Sequence, residues 1–197
     1  NLDPEFTFSM ALKALVGGFA GAKLLFWICQ FKEILSDPWF ILYTLSDGFV
    51  VFGGILGGVF TAWSVCRRAG KDFPAYLDLA LPSAAVGQGF GRLGCFLAGC
   101  CYGKETSHFP YVIFHSSAFA PNGVKLIPTQ LIFSLCDFVN AAVLIFFANK
   151  SPKAGKVSAL YLINYSIGRF ILEFLRGDPE RGFMGPFSTS QFLAVFT

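Results

Sequence analysis

Five long apolar segments constrain the fold of this chain more than any other feature of its sequence. They lie near residues 11–31, 49–66, 73–91, 127–148 and 157–175, and the apolar stretch 188–197 begins another. A helix needs about 20 mostly apolar residues to cross a bilayer, where it also satisfies its own backbone hydrogen bonds. The segments therefore predict an all-α, polytopic integral membrane helix bundle, forming a single transmembrane domain over residues 1–197.

The scarcity of charge indicates that lipid is the main solvent of this chain. Charged residues make up 14% of the sequence and hydrophobic residues 54%, whereas soluble domains carry about 25% charged residues. Too few charged side chains are present to cover a water-facing surface of this size. The formal net charge of +3 is too small to indicate nucleic acid, so we expect no nucleic-acid partner.

Basic residues cluster in two short connections between the apolar segments. The connection 67–71 contains two arginines and a lysine, and the connection 149–156 contains three lysines. Short cytoplasmic loops of membrane proteins are enriched in Lys and Arg. Both connections are therefore predicted to be cytoplasmic, which places the remaining connections on the outer side: 32–48, 92–126 and 176–187.

Charged and polar side chains interrupt the apolar segments at a few positions. An ionised group at membrane depth costs about 2.5–3.5 kcal/mol, so such residues are expected to face the bundle interior or water. Each is a candidate functional residue: Lys23, Asp78, Gln88, Arg169, Glu173 and Arg176. For Arg169 and Glu173, four residues apart on one helix, a purely structural salt bridge stays open as an alternative.

Glycine repeats occur in two of the apolar segments, as GGFAGAK at 17–23 and GGILGG at 53–58. Small residues four apart let membrane helices approach closely. The repeats are compatible with helix packing and with a surface that faces a substrate, and the pattern alone does not choose between them.

The stretch GQGFGRLGCFLAGCCYG at 87–103 is the most unusual of the sequence. Its residues 89–94 match the dinucleotide-binding pattern GxGxxG, but that motif needs a preceding strand, and here an apolar span precedes it. Arg92 lies among four glycines, which leave room for a head group to approach. Because a guanidinium matches phosphate geometry bidentately, Arg92 is a candidate phosphate-binding residue.

The same stretch contains Cys95, Cys100 and Cys101. Zinc sites usually take four ligands, often as two cysteine pairs, and no second pair exists here, so we expect no metal. A thiol-redox role for the three cysteines stays open, since thiols on the outer side of a membrane meet oxidants. We expect His108 and His115, in the outer connection, to be solvated.

Taken in order, five motifs resemble those of the bacterial prolipoprotein diacylglyceryl transferase family. The family segment GGxxGxRxxY is similar to GGFAGAKLLFWI, and its DP…GG…(H/Y)GGLIGG element to residues 37–58. Its signature GRxGNFxNxExxG is similar to GRLGCFLAGCCYG at 91–103. The family's HPxQLYE is similar to IPTQL at 127–131, and its helix YxxxRxxxEFxR to YSIGRFILEFLR at 165–176.

The resemblance implies transfer of an sn-1,2-diacylglyceryl group from phosphatidylglycerol to the lipobox cysteine of prolipoprotein signal peptides, without a cofactor. It also implies a multi-pass enzyme of the bacterial cell (inner) membrane with its active site toward the outer face. A full family member has about seven spans, so we expect this chain to be a fragment. The implied catalytic residues are Arg92, Arg169, Tyr165 and Glu173, and the implied substrate-binding residues are Gly53, Gly54, Gly94, Gly103, Gln130 and Arg176.

The chain departs from the family pattern mainly at polar positions. Cys95 replaces the signature asparagine, Cys100 replaces its glutamate, and Ala98 replaces a second polar residue. Phe52 and Ile127 stand where the family often has histidines. These departures leave a second function open: a non-catalytic or redirected relative that binds anionic lipid or a lipoprotein.

Overall fold

The structure, a computed structural model, describes residues 2–150 and 152–177 and the backbone of 183–184 and 187–188. The chain divides into two compact units, Asn1–Tyr76 and Leu77–Thr197. Except for the backbone of Ser188, the predicted apolar segment 188–197 lies outside the described residues.

The described part of the first unit contains four whole helices, two of them long, and the first residues of a fifth. The four whole helices are α1 (Pro4–Cys29), α2 (Phe31–Ser36), α3 (Phe40–Tyr43) and α4 (Val51–Arg68). The start of α1 follows from its sequence, because the Asp3 carboxylate accepts hydrogen bonds from the backbone N–H groups of Glu5 and Phe6. Pro4 occupies the first turn, where a helix does not need the missing N–H.

Helices α1 and α4 pack through the two glycine repeats. A Cβ atom at Gly21 would lie 2.9 Å from the Cα of Gly57, and one at Gly53 would lie 2.6 Å from the Cβ of Leu25. Real Cβ atoms are not found at such distances, so only glycine allows the two backbones to approach this closely. The structure thus favours helix packing as the role of both repeats.

Lys23 is held in place by backbone carbonyl oxygens of this unit. The residue is buried, and its ammonium group donates hydrogen bonds to the carbonyl oxygens of Thr44, Asp47 and Gly48. Its Nζ also lies 4.9 Å from the centroid of the Phe49 ring. Lys23 therefore ties the connection before α4 to α1, rather than presenting a free charge to a ligand.

In its described part, the second unit contains three long helices. They are the part of α5 (Phe73–Ala98) from Leu77 onward, α6 (Thr129–Ala148) and α7 (Lys156–Glu173). Two short antiparallel pairs accompany them: β1 (Val112–Ile113) with β2 (Lys125–Leu126), and β3 (Phe183–Met184) with β4 (Phe187–Ser188). Alanines, leucine, valine and tyrosine from α5, α6 and α7 form the apolar core: Ala85, Ala141, Leu144, Val157 and Tyr161.

Asp78 and Gln88 join α5 to α7. The Asp78 carboxylate accepts hydrogen bonds from the backbone N–H groups of Gly155 and Ser158 and from the Ser158 hydroxyl, so it caps the start of α7. The Gln88 amide oxygen accepts a hydrogen bond of 2.9 Å from the Tyr161 hydroxyl. Both candidate residues thus have fixed partners within the bundle.

Each of the five predicted apolar segments forms a helix, which agrees with the predicted all-α fold. Two of the described helices are long and apolar enough to cross a membrane, Pro4–Cys29 with a mean hydropathy of 1.5 and Thr129–Ala148 with 2.2. The other three helices remain predicted spans. Helix α5 continues past residue 91, where the sequence placed the end of a span, to Ala98, so Arg92 and Gly94 lie within a helix.

Candidate active site

Three motifs that are distant in sequence meet in the second unit. The backbone N–H of Lys104 donates to the carbonyl of Leu175, and that of Ile127 donates to the carbonyl of Lys104 (both 2.9 Å). Gly103 and Arg176 form an antiparallel bridge. The segment after α5 is therefore held between the chain before α6 and the chain after α7.

Gly103 is required by this close approach. A Cβ atom there would lie 2.8 Å from the Cβ of Ile127 and 2.8 Å from the Cγ2 of Thr129. Gly177 packs against Gly103 in the same way, because a Cβ atom at Gly177 would lie 2.6 Å from the Gly103 carbonyl oxygen. The glycine that closes the signature thus allows three segments to pack, and its predicted contact with substrate stays a prediction.

Gln130 holds the signature segment from the first turn of α6. The residue is 1% exposed, and its Nε2 donates a 2.8 Å hydrogen bond to the carbonyl oxygen of Cys100. Among the described residues its Oε1 has no hydrogen-bond partner. A buried acceptor without a partner is costly, by about 1–3 kcal/mol, and a ligand that donates a hydrogen bond there would remove that cost.

Arg92 and Arg169 converge on one aromatic ring of α6. The guanidinium carbon of Arg92 lies 4.6 Å from the centroid of the Phe133 ring, and that of Arg169 lies 5.4 Å from it. Cations at such distances are attracted to the face of an aromatic ring. The predicted arginines of α5 and α7 are thus brought together, with Phe133 as their common neighbour.

Glu173 joins two arginines. Its Oε2 lies 3.0 Å from Nη2 of Arg169 and 3.8 Å from Nη1 of Arg176. The side chains of all three are largely buried, with exposures of 1%, 11% and 9%. The structural salt bridge left open by the sequence is therefore present, and it orients Arg169 beside Arg92.

Asp137 was missed by the sequence reasoning. It is buried on α6, one helical turn after Phe133, and it lies close enough to Arg92 and Arg169 for their charges to act on its carboxylate. The signal was a single acidic residue inside an apolar segment, which by itself marks a candidate functional residue. Asp137 therefore belongs to the same cluster of charged groups as Arg92 and Arg169.

Tyr165 and Gly94 complete the predicted set in this unit. Tyr165 lies one helical turn before Arg169, and its ring stacks on that of Tyr161 with centroids 5.9 Å apart. In the described part of the chain, a Cβ atom at Gly94 or at Gly91 would meet no other atom within 4 Å. These two glycines lie about 100° and 160° from Arg92 around the helix axis, and the space beside Gly89, on the Arg92 side, is filled by Phe138. The room that the sequence led us to expect around Arg92 is therefore not provided by these glycines.

The three thiols of the signature lie close together. The Sγ atoms of Cys95, Cys100 and Cys101 are all within 4.8 Å of one another. Burial of the Cys100 thiol and the neighbouring thiols raise its pKa to about 12, because both disfavour the negatively charged thiolate. His108 and His115 are exposed in the following connection, as expected.

The fold and the site define a helical membrane protein in which arginines and carboxylates of the second unit form one cluster. All residues, 1–197, match the family model described as prolipoprotein diacylglyceryl transferase, and the chain belongs to that family. Relatives named phosphatidylglycerol–prolipoprotein diacylglyceryl transferase include one from Clostridium tetani, 47% identical over 98% of this chain and 77% of the relative. Another, from Gloeobacter violaceus, is 32% identical over 98% of this chain and 73% of the relative. A relative from Clostridium perfringens, named as number 2 of that enzyme, is 42% identical over 96% and 73%.

Proposed function

We propose that this protein transfers the sn-1,2-diacylglyceryl group of phosphatidylglycerol to the lipobox cysteine thiol of prolipoproteins. The products are a thioether and glycerol 1-phosphate. The observation that carries the proposal is the convergence of Arg92 and Arg169 on Phe133, in a chain whose relatives bear the name of this enzyme. Two guanidiniums beside one ring suit the binding of a phosphate.

The chemistry is a substitution at the glycerol carbon that bears the phosphate. The thiolate sulfur forms a bond to this carbon while the carbon–oxygen bond to the phosphate breaks. Negative charge grows on the leaving phosphate ester, so fixed cations around it stabilise the transition state most effectively. Arg92 and Arg169 supply these cations, and each such donor is worth about 3 kcal/mol, or about a hundredfold in rate.

The neighbouring residues position these two arginines and the glycerol. Glu173 orients Arg169 through the 3.0 Å ion pair, and Arg176 adds positive charge on the same carboxylate. The unused Oε1 of Gln130 accepts a hydrogen bond from a glycerol hydroxyl, and Tyr165 contributes a hydroxyl on the Arg169 side. Gly94, where a Cβ atom would have open space around it among the described residues, stays assigned to substrate contact.

The first unit, taken by itself, has an apolar surface. Gly54 lines an apolar groove together with Gly18, Phe19, Phe49 and Ile55. Such a surface suits an acyl chain of a lipid. We assign Gly54 to acyl-chain contact, and Gly53 to the close helix approach that shapes the groove.

The proposed location is the bacterial cell membrane, with several spans and with the arginine cluster toward the outer face. The basic connections 67–71 and 149–156 support this orientation through their positive charge. Cysteines introduced singly at Lys71 and at Ser107 test it with a membrane-impermeant maleimide on intact cells. We expect labelling at 107 and none at 71, and the opposite pattern would refute the orientation.

The experiment for the activity uses the purified chain in phosphatidylglycerol vesicles with a synthetic lipobox peptide. Mass spectrometry of the peptide should show the mass of one diacylglyceryl group on its cysteine, and the Arg92→Ala variant should show almost none. Binding of phosphatidylglycerol without any transfer would instead support the non-catalytic relative that binds anionic lipid.

A further inference from the structure

The three signature thiols are close enough to share one metal ion. Zinc binds cysteine sulfur at about 2.3 Å, and tetrahedral geometry then separates two sulfur ligands by about 3.8 Å. The Sγ atoms of Cys95, Cys100 and Cys101 already lie within 4.8 Å of one another. Small side-chain rotations would close the remaining gap, and all three residues are half-buried.

The backbone takes an unfavourable conformation that brings these thiols together. After α5 ends at Ala98 the chain reverses, with a φ of 74° at Gly99 and of 56° at Cys101. A left-handed φ is ordinary for glycine but costs energy at cysteine, and such strain concentrates at functional sites. Thr129 and Gln130 hold the reversed segment by donating to the carbonyl oxygens of Cys101 and Cys100.

Two helices place the thiol cluster next to the arginine pair. On α5, Cys95 follows Arg92 by three residues, which puts both on the same face about one turn apart. On α6, Gln130 precedes Phe133 by the same three residues. Gln130 donates to the carbonyl oxygen of Cys100, and the Phe133 ring is shared by the two arginines. The thiols and the proposed phosphate position are thus separated by about one helical turn on both helices.

We propose that Cys95, Cys100 and Cys101 bind Zn²⁺ as three thiolates and that its fourth position receives the incoming lipobox cysteine. Three protein ligands with one open position are the pattern of catalytic zinc sites. No fourth histidine, cysteine or carboxylate joins the cluster among the described residues. This inference rests on the proposed function, because the lipobox cysteine is the substrate of that reaction.

The zinc ion would supply the deprotonation for which the chain has no obvious base. On binding the ion, the peptide thiol becomes a thiolate and releases its proton to water. The sulfur then forms its bond to the glycerol carbon, and the electron pair of the breaking carbon–oxygen bond leaves with glycerol 1-phosphate. Nothing is oxidised or reduced. Phe52 takes no part, since a phenyl ring accepts no proton.

Metal titration of the reduced full chain tests whether the three cysteines bind zinc. Co²⁺, which gives thiolate charge-transfer absorption, and Zn²⁺, in competition with a chromogenic chelator, should each bind at one equivalent per chain. Cys95→Ser, Cys100→Ser and Cys101→Ser should each weaken Zn²⁺ binding at least tenfold. The matched control, Cys29→Ser with Cys136→Ser, replaces two exposed thiols and should bind as the unchanged chain does.

Two results of the titration would overturn the proposal. One is the absence of stoichiometric binding in a chain whose thiols are shown to be reduced. The other is a disulfide between two of the three cysteines in protein isolated under non-reducing conditions, which mass spectrometry detects as a loss of two hydrogens. That disulfide would instead support the thiol-redox role.

Transfer and lipid binding, measured on the same samples, test the catalytic half. Chelator-treated protein should lose transfer at least tenfold, keep its binding to phosphatidylglycerol vesicles, and recover transfer when Zn²⁺ is returned. Full transfer by metal-free protein would overturn the role of zinc and leave the proposed function standing. A zinc-loaded chain that binds lipid but transfers nothing would overturn the proposed function, and with it the catalytic half of this inference.

Discussion

Lys23 in the first unit and Arg169 in the second are both buried cations inside apolar helices, yet their surroundings differ. Lys23 donates to three backbone carbonyl oxygens, which satisfy its three donors. Among the described residues, Arg169 shares the Glu173 carboxylate with Arg176 and the Phe133 ring with Arg92. The first arrangement pairs one cation with neutral carbonyl oxygens, whereas the second brings three guanidiniums together. This convergence, more than burial alone, favours the second as a site for an anion.

Substitution of Glu173 is expected to have the largest effect on the free energy of unfolding. Replacing Glu173 with glutamine removes the carboxylate that pairs with the guanidiniums of Arg169 and Arg176. Breaking a buried ion pair from one side lowers the free energy of unfolding by about 3–5 kcal/mol. Chemical unfolding in detergent measures this, with Glu105→Gln in the exposed connection as the control. Equal stability of the two variants would contradict the central position of Glu173.

The thiol cluster gives the next largest effect and a pH dependence. Since the pKa of Cys100 is raised to about 12, its thiol stays protonated at neutral and mildly alkaline pH. Only thiolates react with alkylating agents. In metal-free protein at pH 8 we expect Cys100 to react at least about a hundredfold more slowly than an ordinary exposed thiol, with a rate that still rises above pH 10.

Site-resolved mass spectrometry after timed alkylation checks this result. A cysteine introduced at Ser107, which is exposed, provides the matched reference. Equal rates at residues 100 and 107 at pH 8 would show that burial and the neighbouring thiols do not protect Cys100.

The glycine interface of the first unit should respond through stability alone. A side chain at Gly21 would meet the Cα of Gly57 at 2.9 Å. Overpacking of this kind costs about 1–3 kcal/mol, so Gly21→Val should unfold at lower denaturant concentration. Gly87→Ala, where a Cβ has open space around it among the described residues, should unfold as the unchanged chain does. A stable Gly21→Val would argue against close packing.

Asp137 gives the smallest predicted change. Its carboxylate offsets part of the charge of Arg92 and Arg169, so Asp137→Asn should bind anionic lipid more tightly, by about threefold to tenfold. Flotation with phosphatidylglycerol vesicles measures the affinity, and Cys136→Ser, at the adjacent exposed position, is the control. Weaker binding by Asp137→Asn would show that the aspartate contacts the lipid through a hydrogen bond instead.

Much of the fold could be predicted because each apolar segment carries its own signal. The end of α5 could not, since residues 87–94 are rich in glycine, which normally favours a loop. Membrane helices tolerate glycine, and Ser134 donates to the carbonyl of Gly89 while Phe138 fills the space beside that glycine. Tertiary contacts thus extend a helix that local preference would end.

The site residues could be predicted where a charge lies in an apolar segment, but not where their role depends on three-dimensional contacts. The arginines and Glu173 could be identified because placing a charge in lipid costs energy. The structural role of Lys23 depends on carbonyl oxygens more than twenty residues away. The convergence of the three thiols depends on left-handed conformations at Gly99 and Cys101, and no cysteine spacing reveals these.

The rate of diacylglyceryl transfer in Arg92→Ala tests the central claim most directly, because Arg92 is not part of the Glu173 ion pairs. At saturating phosphatidylglycerol and lipobox peptide, we expect kcat to fall by about a hundredfold or more, with little change in the free energy of unfolding. Lys23→Met, assayed at a temperature where it stays folded, should keep kcat within a few-fold. A wild-type kcat in Arg92→Ala would contradict the claim that the arginines of α5 and α7 stabilise the leaving phosphate.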